Sequence, residues 1–237
     1  MNRTYASAGA LLTLTLSLAA CGGGEAAMEP VEMEGLDDPN TVVEMARGMV
    51  LGPEDAAITI HEFGDYQCPG CGQFAALVKP QIEQGLVSRG NVRFVFYDYP
   101  LVTIHPYAFV AARASRCAAD QERYWEYHEA LFRNQSTWAT SSSAPLGLFE
   151  DYAGELGLDE GAFSECLRSD RHADVVTANM RLGDMLGVTG TPSVMVSEGG
   201  NARRLSDTSY QGIATTVEDI LAELSGGEDE PGDAGDP

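Results

Sequence analysis

One stretch constrains this chain more than any other. A β-prone run, Ala57 to Phe63, leads into Cys68-Pro69-Gly70-Cys71, and a helical pattern follows. Cys-x-x-Cys alone admits two chemistries, half of a zinc site or a redox dithiol. Zinc requires a second ligand pair at suitable spacing. Cys117 and Cys166 are isolated, with no histidine in Cys-x-x-His spacing beside them, so no metal site is expected. Pro69 sits where a helix begins. That places Cys68 at a helix N-terminus, where free N–H groups and the positive end of the helix favour a thiolate. A lowered thiol pKa makes Cys68 the attacking sulfur and a good leaving group. Cys71, one turn further in, is the more buried partner that resolves a mixed disulfide. A purely structural bridge here is the weaker reading, because closing so small a loop hardly constrains the unfolded chain.

The ends of the chain read differently from its middle. Arg3 precedes an apolar run, Ala8 to Ala20, that is too short to span a bilayer and has the form of an export signal. It ends in Leu18-Ala19-Ala20-Cys21, which resembles the lipobox of bacterial lipoproteins. That resemblance implies a signal peptide over 1–20 and a lipid on Cys21 that holds the chain at a membrane. Residues 21–41 are glycine-rich, then acidic, without apolar periodicity, and are expected to form a flexible linker. As a coil it spans roughly 25 Å. Residues 226–237 form a second acidic, low-complexity segment. The formal net charge is -22, and Lys79 is the only lysine. Such a chain is repelled by nucleic acid and by anionic lipid. Its length allows one sizeable core over 42–225.

Within that core, Gly70 to Arg89 reads as a helix kinked at Pro80, and Asn91 to Tyr99 as a second strand. From His105 to about Leu186 the pattern is helical. Tyr124, Trp125, His128, Leu131 and Phe132 share one face, which makes His128 a core residue. Ser193 to Val196 and Arg203 to Tyr210 read as short strands, and Ile213 to Leu224 as a closing helix. Strands on both sides of a helical block predict an α/β fold, a mixed sheet with a helical insertion over about 103–187.

If Cys21 carries lipid, four cysteines remain, and four allow three pairings. Export permits disulfides. Cys68 and Cys71 are near enough to pair with each other, which leaves Cys117 with Cys166. A bridge closing that loop of about 50 residues contributes roughly 4 kcal/mol in the chain-entropy model.

Four separated motifs now resemble the DsbA family of the thioredoxin superfamily. They are Gly52 to Ala56 with Ile58 to Cys71; Tyr99-Pro100-Leu101 with His105-Pro106; Cys117-Ala118 with Trp125, Tyr127, His128, Leu131 and Phe132; and Leu186 to Pro192. The resemblance implies a thioredoxin-like sheet with an inserted helical subdomain. It also implies a monomeric thiol:disulfide oxidoreductase of the cell envelope that needs no cofactor beyond the cysteine pair. Pro192 would be the cis-proline facing the disulfide, with Thr191 meeting an extended client segment. Glu62 would be the buried acid near the active site, accepting a proton as Cys71 attacks; a surface strand position is the competing reading. His61 falls on the opposite face. The clients implied are exported proteins with free thiols. The recycling partner implied is a quinone-linked membrane oxidase of the DsbB or vitamin K epoxide reductase type. Pro69-Gly70 lacks a histidine, so the motif does not fix the potential. The alternatives are a reductase or isomerase, and a non-catalytic envelope lipoprotein that binds unfolded chains. Family isomerases carry an N-terminal dimerisation domain, for which 22–41 is too short and too polar.

Overall fold

A computed structural model describes residues 28–226. The expected signal 1–20, Cys21 and residues 227–237 of the expected tail lie outside the described residues. In chain order the first half holds α1 (Pro39–Met45), β1 (Met49–Leu51), β2 (Ile58–Gly64), α2 (Pro69–Leu77), α3 (Lys79–Gly85), a 3-10 turn (Val87–Arg89) and β3 (Val92–Asp98). Six helices follow: α4 (Ala108–Ala119), α5 (Tyr124–Arg133), α6 (Gln135–Trp138), α7 (Leu146–Glu155), α8 (Glu160–Arg168) and α9 (Ala173–Met185). The chain closes with β4 (Ser193–Glu198), β5 (Asn201–Arg204) and α10 (Tyr210–Gly226).

The strands lie in the order β1-β3-β2-β4-β5. β2 and β3 are parallel, which requires a crossover, and α2 with α3 supplies it. β1 is antiparallel to β3, and β4 to β2. This is the mixed sheet expected from the sequence, with the helices α4 to α9 inserted between β3 and β4. Alternation along β2 sorts its side chains. Ile58 and Ile60 enter the main core with Cys71, Phe74, Ile82, Ile213 and Val217. Phe63 enters a second cluster with Tyr99, Val188 and Met195. Each fully buried aliphatic or aromatic side chain is worth about 1.5–3 kcal/mol of transfer free energy. Glu62 therefore shares the face of Ile58 and Ile60, and His61 points to the other face, where Nε2 meets Ser197 Oγ at 2.7 Å.

The insertion is tied together covalently and electrostatically. A Cys117–Cys166 disulfide joins α4 to α8, with the Cα atoms 5.8 Å apart. Arg113, buried in α4, donates to the carbonyls of Leu167, Ser169 and Arg171. A guanidinium there satisfies carbonyls that the end of α8 leaves without helical partners.

Three local expectations are corrected. The helix read from Gly70 to Arg89 is two helices and a 3-10 turn, broken at Val78, because Pro80 lacks an N–H and crowds the preceding turn. The strand read from Arg203 to Tyr210 is Asn201–Arg204. Gly199 and Gly200, at φ 53° and 89°, make a two-residue turn that pairs Glu198 with Asn201. The helix read from Ile213 begins at Tyr210, where Ser209 Oγ accepts from Gly212 N as its N-cap. The expected linker 21–41 also differs in its second half. Val31 N donates to Thr177 Oγ1 at 3.1 Å, and Arg181 Nε to Leu36 O at 3.2 Å, so this segment lies along α9. Asp38 caps α1, and Val42 is wholly buried.

Candidate active site

The two cysteines of the motif occupy unlike positions. Cys68 is the N-cap of α2, with Pro69 as the first helical residue. Its thiol donates to the carbonyl of Thr191 at 3.3 Å. The Thr191–Pro192 bond is cis, and a Cβ on Gly70 would stand 3.3 Å from Pro192 Cδ. The motif and the cis-proline loop are therefore in contact. The Cys68 pKa is lowered to about 5. The leading cause is a hydrogen bond from the Cys71 thiol, aided by the N–H groups of Cys71 and Gly70; partial burial opposes it. Cys71 is fully enclosed and its pKa is pushed well up, first by burial, then by its hydrogen bond to Cys68 and by the charges of Glu62 and Cys68. The Cys68 thiol therefore ionises far more readily than that of Cys71.

Glu62 is 1% exposed, on the central strand that leads into the motif, and its charge is felt at Cys68 and Cys71. Burial raises its pKa to about 8, with Lys79 pulling down and the Cys68 charge pushing up. Its Oε1 has no hydrogen-bond partner among the described residues. A buried carboxyl without partners prefers its neutral form, so Glu62 is mostly protonated at neutral pH.

Three residues that sequence reasoning left without a role organise the motif. Asp65, wholly buried, sits at the end of β2. Its carboxylate accepts from Gln67 N at 2.7 Å, Leu101 N at 2.8 Å and His105 Nδ1 at 2.7 Å. Its own N–H donates to Cys71 Sγ at 3.4 Å. Gln67 reaches into the insertion, accepting from Tyr107 N and donating to Ala139 O. Gln135, on α6, donates to the carbonyls of Tyr66 and Cys68 at 2.7 and 2.9 Å. The available signal was a run of polar residues, Asp65 and Gln67, directly before a cysteine in an otherwise apolar strand exit.

His128 lies in the aromatic core that its helical face predicted. Its Nδ1 meets Tyr66 OH at 3.0 Å, and burial holds its pKa well below the usual imidazole value. It does not reach the cysteines. Cys117 and Cys166 are bonded to each other within the insertion, away from the motif. Beside the motif a groove of about 440 Å³ begins at Pro69 and runs past Ala76, Leu77 and Phe132.

Comparison with known proteins places this geometry. The thioredoxin family model matches residues 44–216. Disulfide bond formation protein D of Bacillus subtilis is 30% identical over 159 residues, covering 63% of this chain and 67% of that protein. The crystal structure of oxidised BdbD from Bacillus subtilis superposes with a TM-score of 0.66 at 25% identity, over 84% of this chain and 100% of that one. The Na(+)/H(+) antiporter NhaA 1 of Salinispora arenicola is 36% identical over 164 residues, which are 69% of this chain. This chain spans 24% of that antiporter's length. Among the described residues no helix is long and apolar enough to cross a membrane.

Proposed function

This chain belongs to the DsbA family of thiol:disulfide oxidoreductases, and on that premise we propose that it inserts disulfides into exported client proteins. The observation that carries this direction is the unlike pair of thiols. Cys68 at about 5 stabilises the reduced state as a thiolate, and a stabilised reduced state makes an oxidising disulfide.

A client thiolate attacks Cys68 Sγ of the Cys68–Cys71 disulfide. The new bond joins client sulfur to Cys68, the Cys68–Cys71 bond breaks, and its electron pair stays on Cys71. Cys71 is a poor thiolate in its enclosure, so it needs a proton as it leaves. Glu62, protonated at neutral pH and close enough to Cys71 for its charge to act there, gives it. The client's second thiolate then attacks the client sulfur of the mixed disulfide. Cys68 leaves as a thiolate, and the client is oxidised by two electrons. In the reverse direction Glu62 accepts the proton as Cys71 attacks. Once Cys68 is held in the mixed disulfide its charge no longer raises the Glu62 pKa, so a larger share of Glu62 is ionised and available to take that proton.

The cis Thr191–Pro192 loop, in contact with Cys68, is where an extended client segment would lie. Electrons pass on to a quinone-linked membrane oxidase of the DsbB or vitamin K epoxide reductase type. The domain works in the cell envelope, held by a lipid on Cys21 after removal of 1–20. Oxidation of a dithiol peptide and reduction of insulin, with Cys68→Ser as control, test the reading. Peptide oxidation faster than insulin reduction supports it; the opposite order makes the protein a reductase, and equal rates in wild type and Cys68→Ser end the redox account.

A further inference from the structure

The motif carries no cation of its own. Pro69 and Gly70 are neutral, and the first and last turns of α2 hold no acidic or basic residue. A basic group comes instead from a different segment. His105 lies in the loop between β3 and α4, 40 residues from Asp65 in sequence, with its Nδ1 2.7 Å from Asp65 Oδ2. The loop cannot drift away. Leu101 N donates to the same Oδ2, His105 N donates to Leu101 O, and Tyr99 N donates to Gly64 O. Asp65 in turn is wrapped by the motif, taking Cys68 N on its carbonyl and giving its own N–H to Cys71 Sγ. A carboxylate only accepts, so Nδ1 of His105 carries a proton in either charge state. Its Nε2 has no hydrogen-bond partner among the described residues, and the side chain is 16% exposed, so a proton exchanges there with solvent.

We propose that His105 is a positioning residue whose imidazolium, held by Asp65, offsets the Asp65 carboxylate beside the motif and thereby favours the Cys68 thiolate. The groups acting on His105 are Asp65 and Cys68, and both raise its affinity for a proton. Without the imidazolium, the Asp65 carboxylate stands uncompensated next to a second negative charge. The account rests on Cys68 being the attacking sulfur, but its test reads the thiol itself and not client oxidation.

The experiment is the pH profile of Cys68 alkylation by iodoacetamide in the reduced protein, for wild type, His105→Gln and His105→Lys. Removing one charge at this partly screened site raises the Cys68 inflection on the order of half a pH unit, roughly a threefold loss in thiolate equilibrium. His105→Lys restores a cation and returns the inflection toward wild type. Linkage supplies an arm that leaves His105 in place. In Cys68→Ser the thiolate is gone, so the His105 imidazole titrates lower by the same amount in NMR. Coincident Cys68 inflections in folded wild type and His105→Gln overturn the proposal. So does an unmoved His105 titration in Cys68→Ser. Failure to oxidise peptides with a shifted inflection overturns only the direction of the reaction, and leaves His105 in its role.

Discussion

Cys68 and Thr191 stand 123 residues apart in sequence, yet the Cys68 thiol donates to the Thr191 carbonyl at 3.3 Å. One partner caps the helix after the first central strand, and the other precedes the strand on its far side. The whole insertion lies between them in the chain. The candidate active site is therefore a junction of two sheet ends, and under the proposed function a client at Cys68 also meets the cis-proline loop.

The division of labour between the sulfurs is directly testable. Cys68 is 8% exposed and Cys71 not at all. Cys71→Ser, offered a client bearing an activated disulfide, accumulates a mixed disulfide through Cys68. Cys68→Ser accumulates none. Non-reducing electrophoresis with peptide mapping reads both, and a trapped adduct on Cys71 would reverse the assignment.

Glu62 links stability to pH with a definite sign. Its folded pKa, about 8, lies above the ordinary carboxylate value. The folded state holds its proton more tightly than the unfolded one, so the contribution is fully present below the unfolded pKa. It is lost as pH rises from the ordinary carboxylate range through about 8, by several kcal/mol in all. In the oxidised protein, where neither cysteine of the motif titrates, Glu62→Gln removes that dependence, and urea midpoints should flatten across the window. The same variant slows mixed-disulfide formation by about 10²-fold, since it deletes a proton donor. A variant with unchanged urea midpoints and an unchanged rate would show that the carboxyl takes no part.

The Cys117–Cys166 bridge closes a loop with a sequence separation of 49. Replacing both residues by Ala lowers unfolding free energy by about 2–4 kcal/mol in the chain-entropy model. Because the bridge lies inside the insertion, the Cys68 alkylation profile stays as in wild type. Chemical denaturation and alkylation measured on the same preparation separate the two effects.

Gln135 fixes the entry to the motif from the insertion side. Gln135→Ala leaves the Tyr66 carbonyl without its donor and the Cys68 carbonyl with Gly72 N alone, at about 1–3 kcal/mol. Gly72→Ala reaches the same contact from the other side. A Cβ there would stand 2.7 Å from Gln135 Oε1, so the side chain must move. Both variants should lower the thermal midpoint and slow client oxidation, read by melting curves and peptide oxidation rates.

Much of this was legible in the residues because it is local. A β-prone run, a cysteine at a helix start and a proline at the first helical position are read from neighbours in sequence, and so was the placing of Glu62 and His61 on opposite faces. Glu62's burial came only with the family resemblance, since period-2 alternation assigns a face but not whether strands flank it on both sides; β3 and β4 do. The Asp65–His105 and Gln135–Cys68 contacts were invisible for a different reason. They join segments 40 and 67 residues apart whose pairing no periodicity reveals, and only the docking of the insertion brings them together. The segment around Val31 misled because its many acids mask an apolar anchor that packs against the core beside α9.

The central claim is that the pair takes electrons from clients, and the reduction potential of Cys68–Cys71 tests it most directly. Equilibration with glutathione buffers, read by thiol trapping and mass spectrometry, gives the value. A thiolate held near 5 opposite an enclosed Cys71 predicts a potential more oxidising than about -200 mV. A potential near -270 mV, in the range of reducing dithiols, would contradict it.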